Sequence, residues 1–246
     1  MLLACKAIRA NKRVGADVIL IHGTGSSSEM WTKQAEHLVE LGHDCYLIDL
    51  RGHGQTHEPF EKTDLEAHLG DVLETVQASG VSAPAVWVGH SLGAILSLAI
   101  AHRSPEMVDQ LFLAALPAGP VFPGLSAAFK VFLSGPFQAI QKSKFREKLA
   151  WRERTLLSTD VFSLGQIVEH FSEVEFINEN LSVSCPIHFS AGLFDPVAPY
   201  HHVRKLHKQI PHSTMRLFEM GGHNFMDYNT DSFNQWLTEK LSVQRS

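Results

Sequence analysis

The stretch that decides the fold is Ala85-Val86-Trp87-Val88-Gly89-His90-Ser91-Leu92-Gly93-Ala94-Ile95-Leu96. Its first four residues are a short apolar run of the kind that makes a buried strand. The run breaks at Gly89, and Leu92–His102 is then almost wholly apolar over the length of a helix. The predicted order is strand, tight turn, buried helix, with Ser91 at the crest of the turn. Gly89 and Gly93 let strand and helix approach closely and tolerate a strained backbone between them.

Outward from this unit, further apolar runs rich in β-branched residues read as buried strands: Val18–Ile21, Cys45–Leu50, Leu111–Ala114, Ile187–Ala191 and Met215–Phe218. Leu2–Arg9 adds an edge strand or two. Helical patterns lie between them. Ser28–Leu41 follows an S-x-x-E capping box made by Ser26 and Glu29, and Gly42 suits its stop. Asp64–Ser79 is a second helix, ended by Gly80. Strands alternating with helices imply an α/β fold, a mostly parallel sheet covered by helices on both faces. One interruption breaks the alternation. Residues 117–180 hold an apolar stretch broken by Pro and Gly, then a charged helical half, Gln141–Asn180. This reads as a helical cap inserted into a single domain spanning 1–246, with a plain two-helix crossover as the alternative.

Chemistry gathers at the ends of the strands. A G-x-S-x-G set between a strand and a helix is the setting of a nucleophile elbow, which lifts the Ser91 hydroxyl above the sheet's carboxyl edge. A serine hydroxyl needs an adjacent base. Among 15 histidines, His223 stands in the loop after the last strand, Gly221-Gly222-His223-Asn224-Phe225, at that same edge. Asp195 follows the preceding strand and can orient the base, so the chain order is Ser91, Asp195, His223. Two backbone N–H groups must hold the developing oxyanion. Leu92 supplies one, and Thr24, in the glycine-bearing loop after Val18–Ile21, supplies the other. His53 reads as structural, holding a loop near the site mouth. His90 is expected to pack beside the elbow and His22 near the Thr24 loop. His201, His202, His207 and His212 cluster without an acidic or Cys ligand, so no metal site is expected.

Composition narrows the rest. With 44% hydrophobic and 19% charged residues, the 246-residue chain is a globular protein and not a disordered one. A net charge of −5 offers no basic field for nucleic acid. No run of about 18 apolar residues implies a membrane span, and no signal peptide is apparent. Cys5, Cys45 and Cys185 are widely spaced and read as reduced thiols of a cytoplasmic protein. No cofactor is required, and no oligomeric state is specified.

HGTG at 22–25, DLRGHG at 49–54, GHSLG at 89–93, GLFDPV at 192–197 and GGHNF at 221–225 together resemble the α/β-hydrolase superfamily, in particular its compact single-cap esterase-like members. The resemblance implies a serine hydrolase acting on a carboxylic ester or thioester with a small, largely apolar acyl group. The same triad also serves C–C bond hydrolysis, lactone opening and cofactor-free perhydrolysis, and some members of the family are small-ligand receptors. HGTG departs from the HGGG of many lipases and argues against bulky tertiary alcohols. A serine at the elbow excludes haloalkane dehalogenase and epoxide hydrolase chemistry, which uses Asp there. Phe122, Phe129, Phe132, Leu133 and Phe137 either line an acyl pocket or fill the core between cap and sheet.

Overall fold

Along each central strand apolar residues face both ways, so the sheet must be covered on two sides. A computed structural model describes residues 1–56, 64–119, 131, 133, 135–170 and 181–242. Seven strands form one sheet: β1 Ala4–Ile8, β2 Val18–Ile21, β3 Cys45–Asp49, β4 Ala85–His90, β5 Val108–Ala114, β6 Ile187–Gly192 and β7 Ser213–Phe218. Their spatial order is β1-β3-β2-β4-β5-β6-β7, and only β1 is antiparallel to its neighbour. Six parallel strands therefore end at one carboxyl edge, with β4 at the centre.

The helices are α1 Thr32–Glu40, α2 Leu65–Ala78, α3 Leu92–Arg103, α4 Pro136–Gln141, α5 Trp151–Ser158, α6 Val161–His170, α7 Tyr200–Gln209, α8 Phe225–Tyr228 and α9 Thr230–Ser242. Ile19 and Ile21 join the apolar layer under α2, α3 and α7, while Val18 and Leu20 join the layer under α1 and α9. Alternate residues of a strand thus feed two cores. Phe233 of α9 packs against Trp31, Phe218, Phe225 and Trp236. Truncating it to Ala is expected to cost about 3–5 kcal/mol.

The caps explain where helices stop. The Asp64 side chain accepts the Ala67 N–H at 2.9 Å and starts α2. Gly42, at φ 89°, ends α1 as its N–H reaches the Val39 carbonyl, while the His43 N–H reaches that of Leu38. The expected Ser26–Glu29 capping box does not form. Ser28–Trp31 is a 3-10 turn whose Ser28 N–H is taken at 2.6 Å by the Asp49 carboxylate. A stronger, charged acceptor arriving from β3 replaces the local one.

Between β5 and β6 lie α4, a 3-10 turn at Lys144–Lys148, α5 and α6. Leu133, Phe137, Leu157 and Leu164 form a small apolar cluster of their own there. Phe122, Phe129 and Phe132 lie outside the residues described.

Candidate active site

Ser91 is the single residue between β4 and α3 and has φ 51° and ψ −110°. A non-glycine residue held there stores on the order of 1–3 kcal/mol of strain. Close backbone contacts enforce it. A Cβ on Gly89 would collide with the Gly93 carbonyl, and one on Gly93 with the carbonyl of Ile21 at the end of β2. The Ser91 N–H donates to the Ala114 carbonyl of β5 at 3.0 Å. The turn is thereby pinned to both neighbouring strands.

The loops after β6 and β7 are tied to each other. Leu193 N–H donates to the Phe218 carbonyl at 3.0 Å, and Phe194 N–H to that of Gly221 at 2.9 Å. This brings Asp195 Oδ2 to 2.8 Å from His223 Nδ1. Asp195 Oδ1 accepts the N–H groups of Val197 and Ala198 at 2.8 and 2.9 Å. Burial alone would raise this carboxyl's pKa. The His223 bond and charge, with the two backbone donors, outweigh burial and hold it below the ordinary value. An ionised Asp195 can only accept, so His223 carries its proton on Nδ1 and leaves Nε2 as an acceptor.

A direct Ser91–His223 hydrogen bond is not among the contacts of the described residues. Such bonds commonly tighten only with substrate bound. The two are brought together through His90, whose Nε2–H donates to the His223 carbonyl at 2.9 Å. The His90 and His223 rings pack with centroids 4.8 Å apart. Burial, then the neighbouring His223, pushes the His90 imidazole well below the usual histidine range, so it is neutral.

The Thr24 loop runs beside the elbow. A Cβ on Gly23 would stand 3.0 Å from Ser91 Cβ and 2.6 Å from His90 Nδ1. Two fully buried imidazoles brace this loop. His22 Nε2 accepts the Leu50 N–H at 3.0 Å, so its Nδ1–H donates to the Gly23 carbonyl at 2.8 Å. His53 Nε2 accepts the Gly25 N–H at 2.9 Å, and its Nδ1–H donates to the Arg51 carbonyl at 2.6 Å. Burial lowers both pKa values, and His22 lowers that of His53 further. Among the described residues, neither the Thr24 N–H nor the Leu92 N–H donates to a protein acceptor.

The helices between β5 and β6 rest on the same edge. A Cβ on Gly25 would collide with Leu156 of α5, and the Asp160 N–H donates to the Gly52 carbonyl at 2.9 Å. Arg152 of α5 pairs with Asp227 of α8. A cleft of about 510 Å³ opens beside them, lined by Ser27, Glu29, Gln55, Trp151, Arg154 and Ser158 among others.

The five site residues expected from sequence thus lie on four loops at one sheet edge. Asp195 and His223 are in contact, while Ser91 and Thr24 lie beside them through His90 and Gly23. Sequence reading missed two supports. One is Asp49, whose carboxylate accepts the Ser28 and Gln55 N–H groups. The other is the partner of His53, expected to hold a loop near the site mouth, which proves to be the Gly25 N–H. The DLRGHG run at 49–54 was the available signal for both.

Comparison with known proteins bears on the family and the fold. Residues 18–159 match the α/β-hydrolase-fold family. The chain is 25% identical over 233 residues to the pimeloyl-[acyl-carrier protein] methyl ester esterase of Vibrio parahaemolyticus, covering 85% of this chain and 88% of that protein. Its fold is similar to that of an enol-lactonase from Burkholderia xenovorans, with a TM-score of 0.83 at 19% identity, covering 98% and 96% of the two chains. It is also similar to a thermophilic esterase from Thermogutta terrifontis, with a TM-score of 0.78 at 20% identity, covering 98% and 93%. Among the described residues no helix is long and apolar enough to cross a membrane. The chain belongs to the α/β-hydrolase fold family.

Proposed function

We propose that this protein cleaves a carboxylic ester or thioester of a small, largely apolar acyl group through an acyl-enzyme on Ser91. The observation that carries this reading is the 2.8 Å Asp195–His223 contact beside a serine held at φ 51°. His223 Nε2 takes the Ser91 proton as Oγ attacks the acyl carbonyl, then delivers it to the leaving group. Asp195 holds the imidazole tautomer and steadies the imidazolium. The unused N–H groups of Thr24 and Leu92 receive the oxyanion. Water, activated by the same imidazole, then releases the acid. Residues 117–180 act as a cap over this edge. The buried Cys45 and Cys185 thiols, pushed up by burial to about 12 and about 11, are inert and suit a reducing cytoplasm.

Labelling with a fluorophosphonate, followed by digestion and mass mapping, tests the reading. Label on Ser91 in the wild type and its loss in His223→Ala is the expected result. An unlabelled wild type overturns it. An ester series of increasing acyl length then ranks substrates.

A second reading concerns what carries the acyl group. Residues 142–154 hold six Lys and Arg against two Glu in a chain of net charge −5, and Lys142, Lys144, Lys148 and Arg154 are exposed. Such a face suits a partner of opposite charge, and the Vibrio relatives are named for a methyl ester on an acyl-carrier protein. A carrier-linked ester turned over at least tenfold faster than its free counterpart, with the advantage lost in high salt, would support it.

A further inference from the structure

We infer that His53 is a positioning residue for the oxyanion hole: by accepting the Gly25 N–H it turns the Thr24–Gly25 segment so that the Thr24 N–H is the one left for the substrate oxygen. The inference rests on the reading of the site as an acyl-transfer centre and specifies how that centre is kept in register.

Three consecutive N–H groups could compete for the oxyanion in this loop. That of Gly25 is taken by His53 Nε2 at 2.9 Å, and that of Ser26 by the Gly23 carbonyl at 3.1 Å. The remaining one belongs to Thr24, one residue from Gly23, where a Cβ would stand 3.0 Å from that of Ser91. Gly25 reaches this geometry only with φ 72°, in the left-handed region.

His53 can hold Gly25 in one protonation state only. The Arg51 carbonyl, 2.6 Å from Nδ1, can only accept, so Nδ1 carries the proton and Nε2 keeps its lone pair. Rotating the ring half a turn would present carbon to both partners and lose both bonds. A protonated ring would face the Gly25 donor with a second donor. The ring is fully buried, with the His22 ring 5.1 Å away, and both conditions disfavour that charge. The loop that carries His53 is itself clamped, since Gly52 receives the Asp160 N–H, and Leu156 closes over Gly25 of the oxyanion loop. The oxyanion loop is therefore gripped between a neutral imidazole beneath and an inserted helix above.

Two arms test this. Nitrogen NMR of the imidazoles should find His53 as the neutral Nδ1–H tautomer, coupled through the hydrogen bond to the Gly25 amide. A charged or Nε2–H ring overturns the inference whatever the activity. The second arm compares two amides. In His53→Gln, Oε1 can stand in for Nε2 and accept from Gly25. In His53→Asn, the shorter amide stands at Nδ1 and leaves Gly25 unheld. Expected is a fall of about 10² in kcat for His53→Asn, near the loss of one oxyanion donor. KM should stay within about twofold and His53→Gln within about tenfold of wild type. Equal losses in both variants, or a change in KM alone, overturn it. If His53→Asn does not fold, the NMR arm decides. A wild type whose Ser91 resists fluorophosphonate overturns the hydrolase reading and the inference together. Normal labelling with an unimpaired His53→Asn overturns the inference alone.

Discussion

His90 donates from Nε2 to the carbonyl oxygen of His223 at 2.9 Å, so the residue before Ser91 holds the backbone of the loop that carries His223. His90→Leu leaves that carbonyl without a partner, and the expected loss is about 1–3 kcal/mol in urea denaturation. We expect kcat to fall at least tenfold as the imidazole loses register. His90→Gln keeps a donor and should recover most of both. Unchanged stability and rate in His90→Leu would show the bond to be idle.

Asp195→Asn isolates the tautomer. Oδ1 is held by two N–H donors, so the amide must place its carbonyl there and its NH2 toward His223 Nδ1. That forces the proton onto Nε2, where it can no longer accept from Ser91. We expect kcat to fall by about 10⁴ with the fold intact. Steady-state kinetics beside a melting curve decide it, and a drop smaller than tenfold would remove Asp195 from the proposed role.

The backbone at Ser91 makes a prediction about stability alone. Ser91→Ala removes the hydroxyl but keeps a Cβ at φ 51°. Ser91→Gly relieves that strain and should exceed Ser91→Ala by about 1 kcal/mol, once glycine's larger unfolded-state entropy is subtracted from the strain released. Both should be inactive. Equal stability for the two would mean that the turn stores no strain.

Five buried histidines couple folding to acid. Burial lowers His22, drives His53 and His90 well down, and brings His68 and His188 to about 4. The unfolded chain protonates these positions near pH 6.5, whereas the folded chain does not. Their stabilising effect is therefore complete above pH 6.5 and lost as pH falls toward the folded values. Each contributes about 1.4 kcal/mol per pH unit in that window. Asp195 adds to the loss only below its ordinary value of 3.8. Urea midpoints should be level from pH 7 to 8 and fall steeply below 6. A slope at pH 5 of less than one proton taken up on unfolding would contradict this.

Much of this was legible because it is written in local pattern. The β4–Ser91–α3 unit, the parallel order and the loops bearing Asp195 and His223 follow from apolar periodicity and from glycine. The Ser26–Glu29 box failed for a reason periodicity cannot carry. Asp49, 21 residues from Ser28 in sequence, supplies the cap instead. The His53–Gly25 bond spans 28 residues and depends on which ring nitrogen holds a proton. That is a property of the folded loop and not of the RGHG run. Where a long-range acceptor competes with a local one, the folded charge arrangement decides and sequence spacing is silent.

The contact of Gly93 with the Ile21 carbonyl has a consequence for how this protein can change. The Thr24 loop meets the elbow at the His90 and Ser91 side chains, but elbow and strand end meet backbone to backbone, with no side chain between them to trim or enlarge. Substitution can hardly tune their spacing, so drift in this chain is channelled elsewhere. The described residues between β5 and β6 reach Gly25 of the Thr24 loop through Leu156, Gly52 after β3 through Asp160, and Asp227 of α8 through Arg152. A graft that exchanged 117–180 and preserved those three contacts is expected to leave the spacing of elbow and strand end as it is.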